Sequence, residues 1–271
     1  AYRDFTTNAA EPGFVLVRVI EAKGSTPRNT DAWMLVSHGS CFGTIGGGRL
    51  ELEAIDRARE VLTGAAAQPM ALPLGPAIGQ CCGGHVTLSF EVIPPARFNE
   101  IEALVKAEDA EDPEVWLFGG GHVGQALANA LLLLPVRVHV AETRADELDL
   151  TPAGAERHLT ALPESLVAGI APGSAVIVLT HDHALDFLIV SAALRRDDLA
   201  QIGMIGSDTK RATFEHQFIR EGGDTAQLSK LICPIGRKIP DKRPEVIAAT
   251  VAAEIIMALA DWRASTSHAL S

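Results

Sequence analysis

The feature that most constrains this chain is an apolar strand that runs directly into a glycine-rich loop and then a helix. Val115–Phe118 is a short run of β-forming residues, and His122–Leu134 has the composition of a helix. Where the strand ends and the helix begins, Gly119, Gly121 and Gly124 have the spacing G-x-G-x-x-G. A strand, a tight glycine turn and a helix in this order predict the first βαβ unit of a Rossmann-type fold.

Strand-like and helix-like segments continue to alternate after this unit. Further strands are predicted at Val136–Ala141, Ser174–Leu179 and Gln201–Ile205, and further helices at Ala184–Arg195, Thr209–Glu221 and Glu245–Trp262. Such alternation is typical of a parallel sheet with helices on both faces. The prediction is therefore an α/β chain whose residues 113–271 form a C-terminal Rossmann-like, doubly wound domain.

The first part of the chain has a different texture, with β-prone runs around one amphipathic helix. The predicted strands are Phe14–Ile20, Trp33–Ser37 and Val86–Ile93, and the helix is Leu50–Leu62. We therefore predict an N-terminal α+β domain over residues 1–108. The acidic run Glu108–Asp112, which follows a predicted linking helix at Phe98–Ala107, is either the domain boundary or a solvated loop.

The glycine loop of the second half has the features of an anion site. The first glycine makes the turn, Gly121 lets a phosphate approach the backbone, and Gly124 allows close helix packing. The helix N-terminus offers free N–H groups, and His122 adds a titratable side chain there. Glu142, which ends the next predicted strand, could accept a ribose hydroxyl and would favour NAD over NADP. The alternative is a Rossmann fold that has lost its nucleotide.

Two further loops are predicted to face the same crevice, because ligands of open α/β sheets bind at the carboxyl ends of the strands. Gly206-Ser207 is one of these loops, and Thr180-His181-Asp182-His183 is the other. His181, Asp182 and His183 suit a divalent metal or proton transfer. The alternative is a helix cap by Asp182 or Thr180.

A second anion-binding pattern lies in the first half. The loop Gly43–Arg49, which contains Gly46, Gly47 and Gly48, directly precedes the helix Leu50–Leu62. The turn Gly24–Arg28 adds the Ser25 hydroxyl, and Arg28 and Arg49 could bind a phosphate through two hydrogen bonds each. The alternative is that these glycines serve turn geometry alone.

The chain has four cysteines, too few for a disulfide framework in 271 residues. Cys81 and Cys82 are adjacent, which disfavours a C-x-x-C zinc site, but one of the two thiolates could contact a soft metal centre. The alternative is that both are buried and inert. Cys41 and Cys233 are interpreted as packing residues.

Composition narrows the class of protein further. The formal net charge is −11, and no basic arm is present to neutralise nucleic-acid phosphates. No apolar segment is long enough for a membrane span, and no signal peptide is recognisable, so we expect a cytoplasmic protein. Val246–Ala260 is apolar almost all round, which favours either a buried helix or the seam of a homodimer.

These motifs, in this order, resemble the XdhC/CoxI family over nearly the whole chain. The resemblance rests on Gly24–Arg28, Gly43–Glu51 and Gln80–Gly84 in the first half, and on Phe118–Gly124, Thr180–His183, Ile205–Ser207 and Cys233–Gly236 in the second. With arginine at position 49, the chain resembles the XdhC branch of the family, whereas the CoxI branch tends to have cysteine at this position. Members are accessory factors of molybdenum hydroxylases such as xanthine dehydrogenase.

The resemblance implies that the chain binds molybdenum cofactor, holds it while a sulfur replaces an oxo ligand, and delivers it to apo xanthine dehydrogenase. A cysteine desulfurase would supply the sulfur. Cys81 or Cys82 would contact the molybdenum. The candidate cofactor-binding residues are Ser25, Arg28, Gly46, Gly47, Gly48, Arg49, Cys81, Cys82, Gly119, Gly121, His122, Gly124, Glu142, His181, Asp182 and Ser207.

An alternative is an NAD(P)- or nucleotide-dependent oxidoreductase that uses the Rossmann domain. It is motivated by the glycine loop and Glu142. Apart from His181, Asp182 and His183, no set of substrate-side catalytic residues accompanies them, so an accessory factor is favoured over an enzyme. In a mixed alternative, the second domain binds a nucleotide that gates the transfer.

Overall fold

The chain divides into two compact units, Ala1–Glu108 and Asp109–Ser271. The computed structural model describes residues 13–26, 28, 30, 32–74, 84–236 and 240–269. Within these ranges, the structure has no helix that is both long and apolar enough to cross a membrane.

The first unit contains a five-stranded antiparallel sheet in the order β3-β2-β1-β5-β4. Its strands are β1 (Phe14–Lys23), β2 (Trp33–Val36), β3 (Cys41–Gly43), β4 (Met70–Leu74) and β5 (Gly84–Ile93). Two helices accompany it, α1 (Gly48–Leu62) and α2 (Phe98–Glu111), the second preceded by a short 3-10 segment at Pro95–Arg97.

The first sheet is covered on both faces, because side chains of a strand alternate between its faces. Val15 and Val17 of β1 pack with Leu50 and Ala54 of α1. Phe14, Leu16, Trp33 and Leu35 point to the other face and share a core with Phe98, Ile101 and Val105 of α2. The uninterrupted apolar run at the start of β1 follows from this double burial.

The second unit is a six-stranded parallel sheet in the order β11-β10-β9-β6-β7-β8. The strands are β6 (Glu114–Phe118), β7 (Arg137–Glu142), β8 (Glu156–Leu159), β9 (Ala175–Val178), β10 (Gln201–Met204) and β11 (Leu231–Ile232). The helices are α3 (His122–Leu131), α4 (Ala145–Asp149), α5 (His183–Leu194), α6 (Asp208–Arg220) and α7 (Pro244–Ala269), with 3-10 segments at Pro163–Gly169 and Thr225–Lys230. Counted from β6, the order is 6-5-4-1-2-3, that of dinucleotide-binding Rossmann folds.

Each face of the parallel sheet carries its own core. Val115 and Leu117 of β6 pack on the face that holds Val251 and Ile255 of α7. Trp116 lies on the other face, in a core that includes Ile189 and Val190 of α5 and Phe214 and Phe218 of α6. The apolar segment Val246–Ala260 is therefore a helix with one face buried on the sheet, whereas Met257 is 59% exposed. The interpretation as a buried helix holds for one face only, and the homodimer stays a prediction.

Three local expectations need correction. The solvated-loop interpretation of the acidic run is wrong up to Glu111, because α2 continues through it, whereas the division into two units does fall within the run, after Glu108. None of the four edge strands, β3, β4, β8 and β11, was predicted. Cys233 is buried as expected of a packing residue, but Cys41 is exposed on β3, so the packing interpretation is wrong for Cys41.

Candidate functional site

The glycine loop lies at the switch point of the second sheet, between the neighbouring strands β6 and β9. Gly119 donates its N–H to the carbonyl of Ala141 at 2.9 Å, and Leu179 donates to the carbonyl of Phe118 at 2.9 Å. A Cβ on Gly119 would lie 2.4 Å from the Leu179 carbonyl oxygen, and φ is +129° there. Only glycine fits this turn, as the G-x-G-x-x-G spacing predicts. Gly124 is packed equally tightly, since a Cβ there would lie 2.1 Å from the Gly119 oxygen.

The N-terminus of α3 lies at the carboxyl end of β6 and has open space beside it. Gly121 is its N-cap, and no side chain of the described residues caps it. A Cβ on Gly121 would meet nothing within 4 Å. Uncapped N–H groups, the positive end of the helix dipole and free space at this glycine together fit a phosphate group. The exposed side chain of His122 begins the same helix.

The two neighbouring helices are closed by their own caps. Asp182 accepts a hydrogen bond from the Ala184 N–H at 2.8 Å at the start of α5. Ser207 accepts from the Lys210 N–H at 3.2 Å at the start of α6. The cap interpretation of Asp182 is confirmed, and Ser207 has the same role. Within the described chain, His181, Asp182 and His183 are exposed and do not converge as three metal ligands.

Glu142 is buried at the end of β7, and the chain's own donors engage both of its carboxylate oxygens. Oε2 accepts from the Gly120 N–H at 2.8 Å and from Arg144 at 3.1 Å. Oε1 accepts from the backbone N–H groups of Thr143 and Arg144 at 2.8 and 3.1 Å. A ribose hydroxyl would have to displace one of these donors. The carboxylate therefore braces the glycine loop, and its proposed contact with a ribose stays a prediction.

These contacts set the ionisation of Glu142. Burial by itself raises the pKa of the carboxyl, but the Arg144 guanidinium and the N–H groups of Gly120, Thr143 and Arg144 outweigh burial and lower the pKa to about 2. Since the usual value is 4.5, the native state holds the carboxylate ionised far into the acid range.

The stability of the second unit is therefore expected to depend on Glu142 in acid. Because the pKa of Glu142 is depressed in the folded state, its carboxylate stabilises the fold fully above pH 4.5, and this stabilisation is lost as the pH falls toward 2. The full stabilisation is about 3 kcal/mol. Glu142→Gln should lower the unfolding free energy at pH 7 and flatten its fall between pH 4.5 and 2, measured by urea unfolding. The exposed Glu221→Gln is the control, and an unchanged acid slope in Glu142→Gln would contradict the assignment.

A buried ion pair beside the crevice was not predicted from the sequence. Asp186 of α5 is fully buried and pairs with the ammonium of Lys210 on α6, whose side chain is only 10% exposed. Asp186 also accepts from the N–H and the hydroxyl of Thr180, at 3.0 and 2.7 Å. Lys210 donates to the Ile205 carbonyl at 2.9 Å. The pair thus ties together the loops that follow β9 and β10.

The glycine loop of the first unit is held by one carboxylate of α1. Glu51 accepts from the N–H groups of Ile45 and Gly47 at 3.2 and 2.9 Å, and from the Thr44 hydroxyl at 2.7 Å. The Thr44 oxygen in turn accepts from the Gly46 N–H at 3.1 Å. The N–H groups of Gly46 and Gly47 are therefore engaged inside the loop. Gly48 begins α1, which no described side chain caps.

The other residues predicted for the first unit lie at its surface. Ser25 and Arg28 are exposed. Arg49 is largely exposed and forms a surface pair with Glu53 at 3.0 Å. Cys81 and Cys82 lie outside the described residues, so their contact with a metal stays a prediction.

A cavity of about 270 Å³ lies at the other end of the parallel strands, where β6, β7 and β9 begin. Its walls include Glu114, Arg137, Gly173 and Trp262. None of the predicted site residues lines it. The crevice at the carboxyl ends is therefore the better candidate site, because ligands of this fold bind there.

Comparisons with known proteins agree with this geometry. The model of the XdhC Rossmann domain matches residues 115–255, and that of the XdhC and CoxI family matches residues 8–71. A protein of Escherichia coli (strain K12), named uncharacterized protein YqeB, is 27% identical over 254 residues, which are 90% of this chain and 43% of that protein. The chain thus spans less than half the length of this curated relative.

A solved structure shares the fold. It is described as a xanthine dehydrogenase from Bacillus halodurans, and it matches with a TM-score of 0.75 and 17% identity over 93% of each chain. The family matches cover both the antiparallel unit and the parallel one. The chain belongs to the XdhC and CoxI family.

Proposed function

We propose that this chain is a maturation factor for a molybdenum hydroxylase of the xanthine dehydrogenase type. The observation that carries the proposal is that family models match both parts of the chain, including the segments that contain its two glycine loops. The name of the Bacillus halodurans structure is consistent with this client.

The cargo that we propose is the molybdenum cofactor. This molecule has a phosphate group, a pterin with hydrogen-bonding edges and a dithiolene that holds the metal. The open N-terminus of α3, with Gly121 beside it, supports binding of the phosphate. Cys81 or Cys82 would contact the thiophilic metal. The chain would hold the cofactor while a sulfur from a cysteine desulfurase replaces an oxo ligand, and would then pass it to apo xanthine dehydrogenase.

Copurification tests this proposal. The chain is purified from cells that make the cofactor, and the bound molybdopterin is measured after release. We expect the wild-type chain to carry molybdopterin, and Cys81→Ala or Cys82→Ala to carry less. The surface variant Cys41→Ala is the matched control and should carry as much as the wild type. A wild-type chain without molybdopterin, under conditions that load a known carrier, would rule out the proposal.

The second candidate function is an NAD(P)- or nucleotide-dependent oxidoreductase. The strand order and the glycine loop at the switch point favour it. The engagement of both Glu142 oxygens by the chain's own donors weighs against a ribose contact there. Calorimetry with NAD and NADH distinguishes the candidates. Micromolar binding of either dinucleotide by a chain that retains no molybdopterin would favour the oxidoreductase.

A further inference from the structure

Two histidines and a glutamate meet on one face of the second sheet, away from the glycine loop. His139 lies on β7, and Glu156 and His158 lie on the adjacent edge strand β8. The strands pair in parallel with His139 opposite Glu156, and His158 follows two residues later on the same face. Each side chain offers one ligand atom, and the three atoms lie within 4.8 Å of one another.

The distances between these atoms fit coordination of a metal ion. Nδ1 of His139 lies 3.2 Å from Nε2 of His158 and 3.4 Å from a carboxylate oxygen of Glu156. Two ligand atoms on a tetrahedral zinc ion, each at about 2.0–2.1 Å, are separated by about 3.3 Å. Both distances therefore match edges of such a tetrahedron. The Glu156 side chain is 61% exposed, so it has room to adjust the third edge.

The aromatic surroundings hold the two imidazole rings in place. The Trp116 ring stacks on the rings of His139 and His158, with centroid distances of 4.4 and 4.7 Å. Trp116 is itself fixed by a 2.8 Å hydrogen bond from its indole N–H to Glu114. Because the rings are already oriented, less conformational entropy is lost when an ion binds.

The local charges also favour a cation. Glu114 and Glu156 are the carboxylates near His139, and Arg137 is the facing cation. Arg137 is paired with Glu114 at 2.9 Å, which leaves the charge of Glu156 for the ion. His139 is 4% exposed and its Nε2 has no partner among the described residues. Nδ1 instead faces the His158 ring and the Glu156 carboxylate, so an ion bound there would replace the contact between the two imidazoles.

We propose that His139, Glu156 and His158 bind a divalent transition-metal ion of the zinc class. Two imidazoles and one carboxylate are ligands that zinc and its neighbours prefer. Three protein ligands leave a fourth position for water or an anionic ligand. The site is separate from the glycine loop, so its failure would leave the proposed function unaffected.

Zinc titration of the full chain tests the site. The chain is first stripped of metal, and it carries Cys81→Ser and Cys82→Ser so that these two thiols cannot bind zinc. Calorimetry should show one equivalent of zinc, with affinity at least tenfold weaker in His158→Ala. Glu156→Gln, on an exposed side chain, should weaken binding without a change in folding. His216→Ala removes an exposed histidine of α6 and should change nothing. Equal zinc affinity and stoichiometry in the parent and His158→Ala would overturn the proposal.

A second readout locates the ion beside Trp116. Cu²⁺ bound to the two stacked imidazoles should quench the fluorescence of Trp116, and Trp116→Phe should remove the saturable part of the quenching. Circular dichroism of each variant reports folding separately. Quenching that survives unchanged in both Trp116→Phe and His158→Ala would place the copper elsewhere and contradict the site.

Discussion

Replacing Lys210 by methionine is expected to destabilise the second unit by about 3–5 kcal/mol. The change removes the ammonium but leaves the Asp186 carboxylate fully buried without its cation. Breaking a buried pair on one side costs this much because the remaining charge cannot be solvated. Gly206 shows how closely the lysine stem is packed, since a Cβ there would lie 2.7 Å from Cδ of Lys210.

The double variant Asp186→Asn with Lys210→Met should be more stable than Lys210→Met alone. A neutral amide can still accept from Thr180, and it needs no cation. Lys230→Met is the matched control, because Lys230 pairs with the exposed Asp197 on the surface, and its loss should be below about 1 kcal/mol. Urea unfolding measures all three. A loss in Lys210→Met no larger than in Lys230→Met would contradict the role of the pair.

Gly119→Ala is expected to reduce stability, whereas Gly121→Ala is expected to reduce ligand binding. Gly119→Ala should cost about 3–5 kcal/mol, because the new Cβ would lie 2.4 Å from the Leu179 oxygen at a φ of +129°. Gly121→Ala should change stability by less than about 1 kcal/mol, since its φ is −69° and a Cβ meets nothing. It should nevertheless weaken binding of a phosphate-bearing ligand at least tenfold, because the Cβ occupies the open space.

Thermal unfolding and ligand binding separate these two effects. Gly119→Ala is expected to have a clearly lower Tm, whereas Gly121→Ala should unfold as the wild type does. Molybdopterin content after purification then reports the site itself. A Gly121→Ala chain that folds normally and carries as much molybdopterin as the wild type would exclude this loop as the phosphate site.

The sequence predicts the second unit well where its signals are local. The apolar run Val115–Phe118, the glycine spacing and the helix that follows are contiguous, so each predicts its own structure without knowledge of distant residues. The Asp182 cap is also local, since it involves a residue two positions away. Strands β1, β2 and β5 of the first unit were recognised for the same reason, because they are rich in β-branched and aromatic residues.

The contacts that sequence reasoning missed are non-local. Asp186 and Lys210 are joined by the approach of α5 and α6, and no spacing rule connects them. His139 and His158 meet because β8 pairs with β7, and β8 is a short polar edge strand without an apolar pattern. The edge strand β4 contains Pro73. Proline is tolerated in an edge strand of a sheet, but in the sequence it argues against a strand. Glu142 was recognised as a candidate residue, but its hydrogen bonds with Gly120 and Arg144 form only in the folded loop.

Delivery of the cofactor is the central claim, and its most direct measurement is the activation of apo xanthine dehydrogenase. The apo-enzyme is mixed with chain that carries sulfurated cofactor, or with the same amount of cofactor released from that chain, and hydroxylase activity is followed over time. We expect activity to rise faster and further with the carrier chain, in proportion to the cofactor that it holds, and chain without cofactor to give none. Activation no better than with released cofactor would contradict the claim.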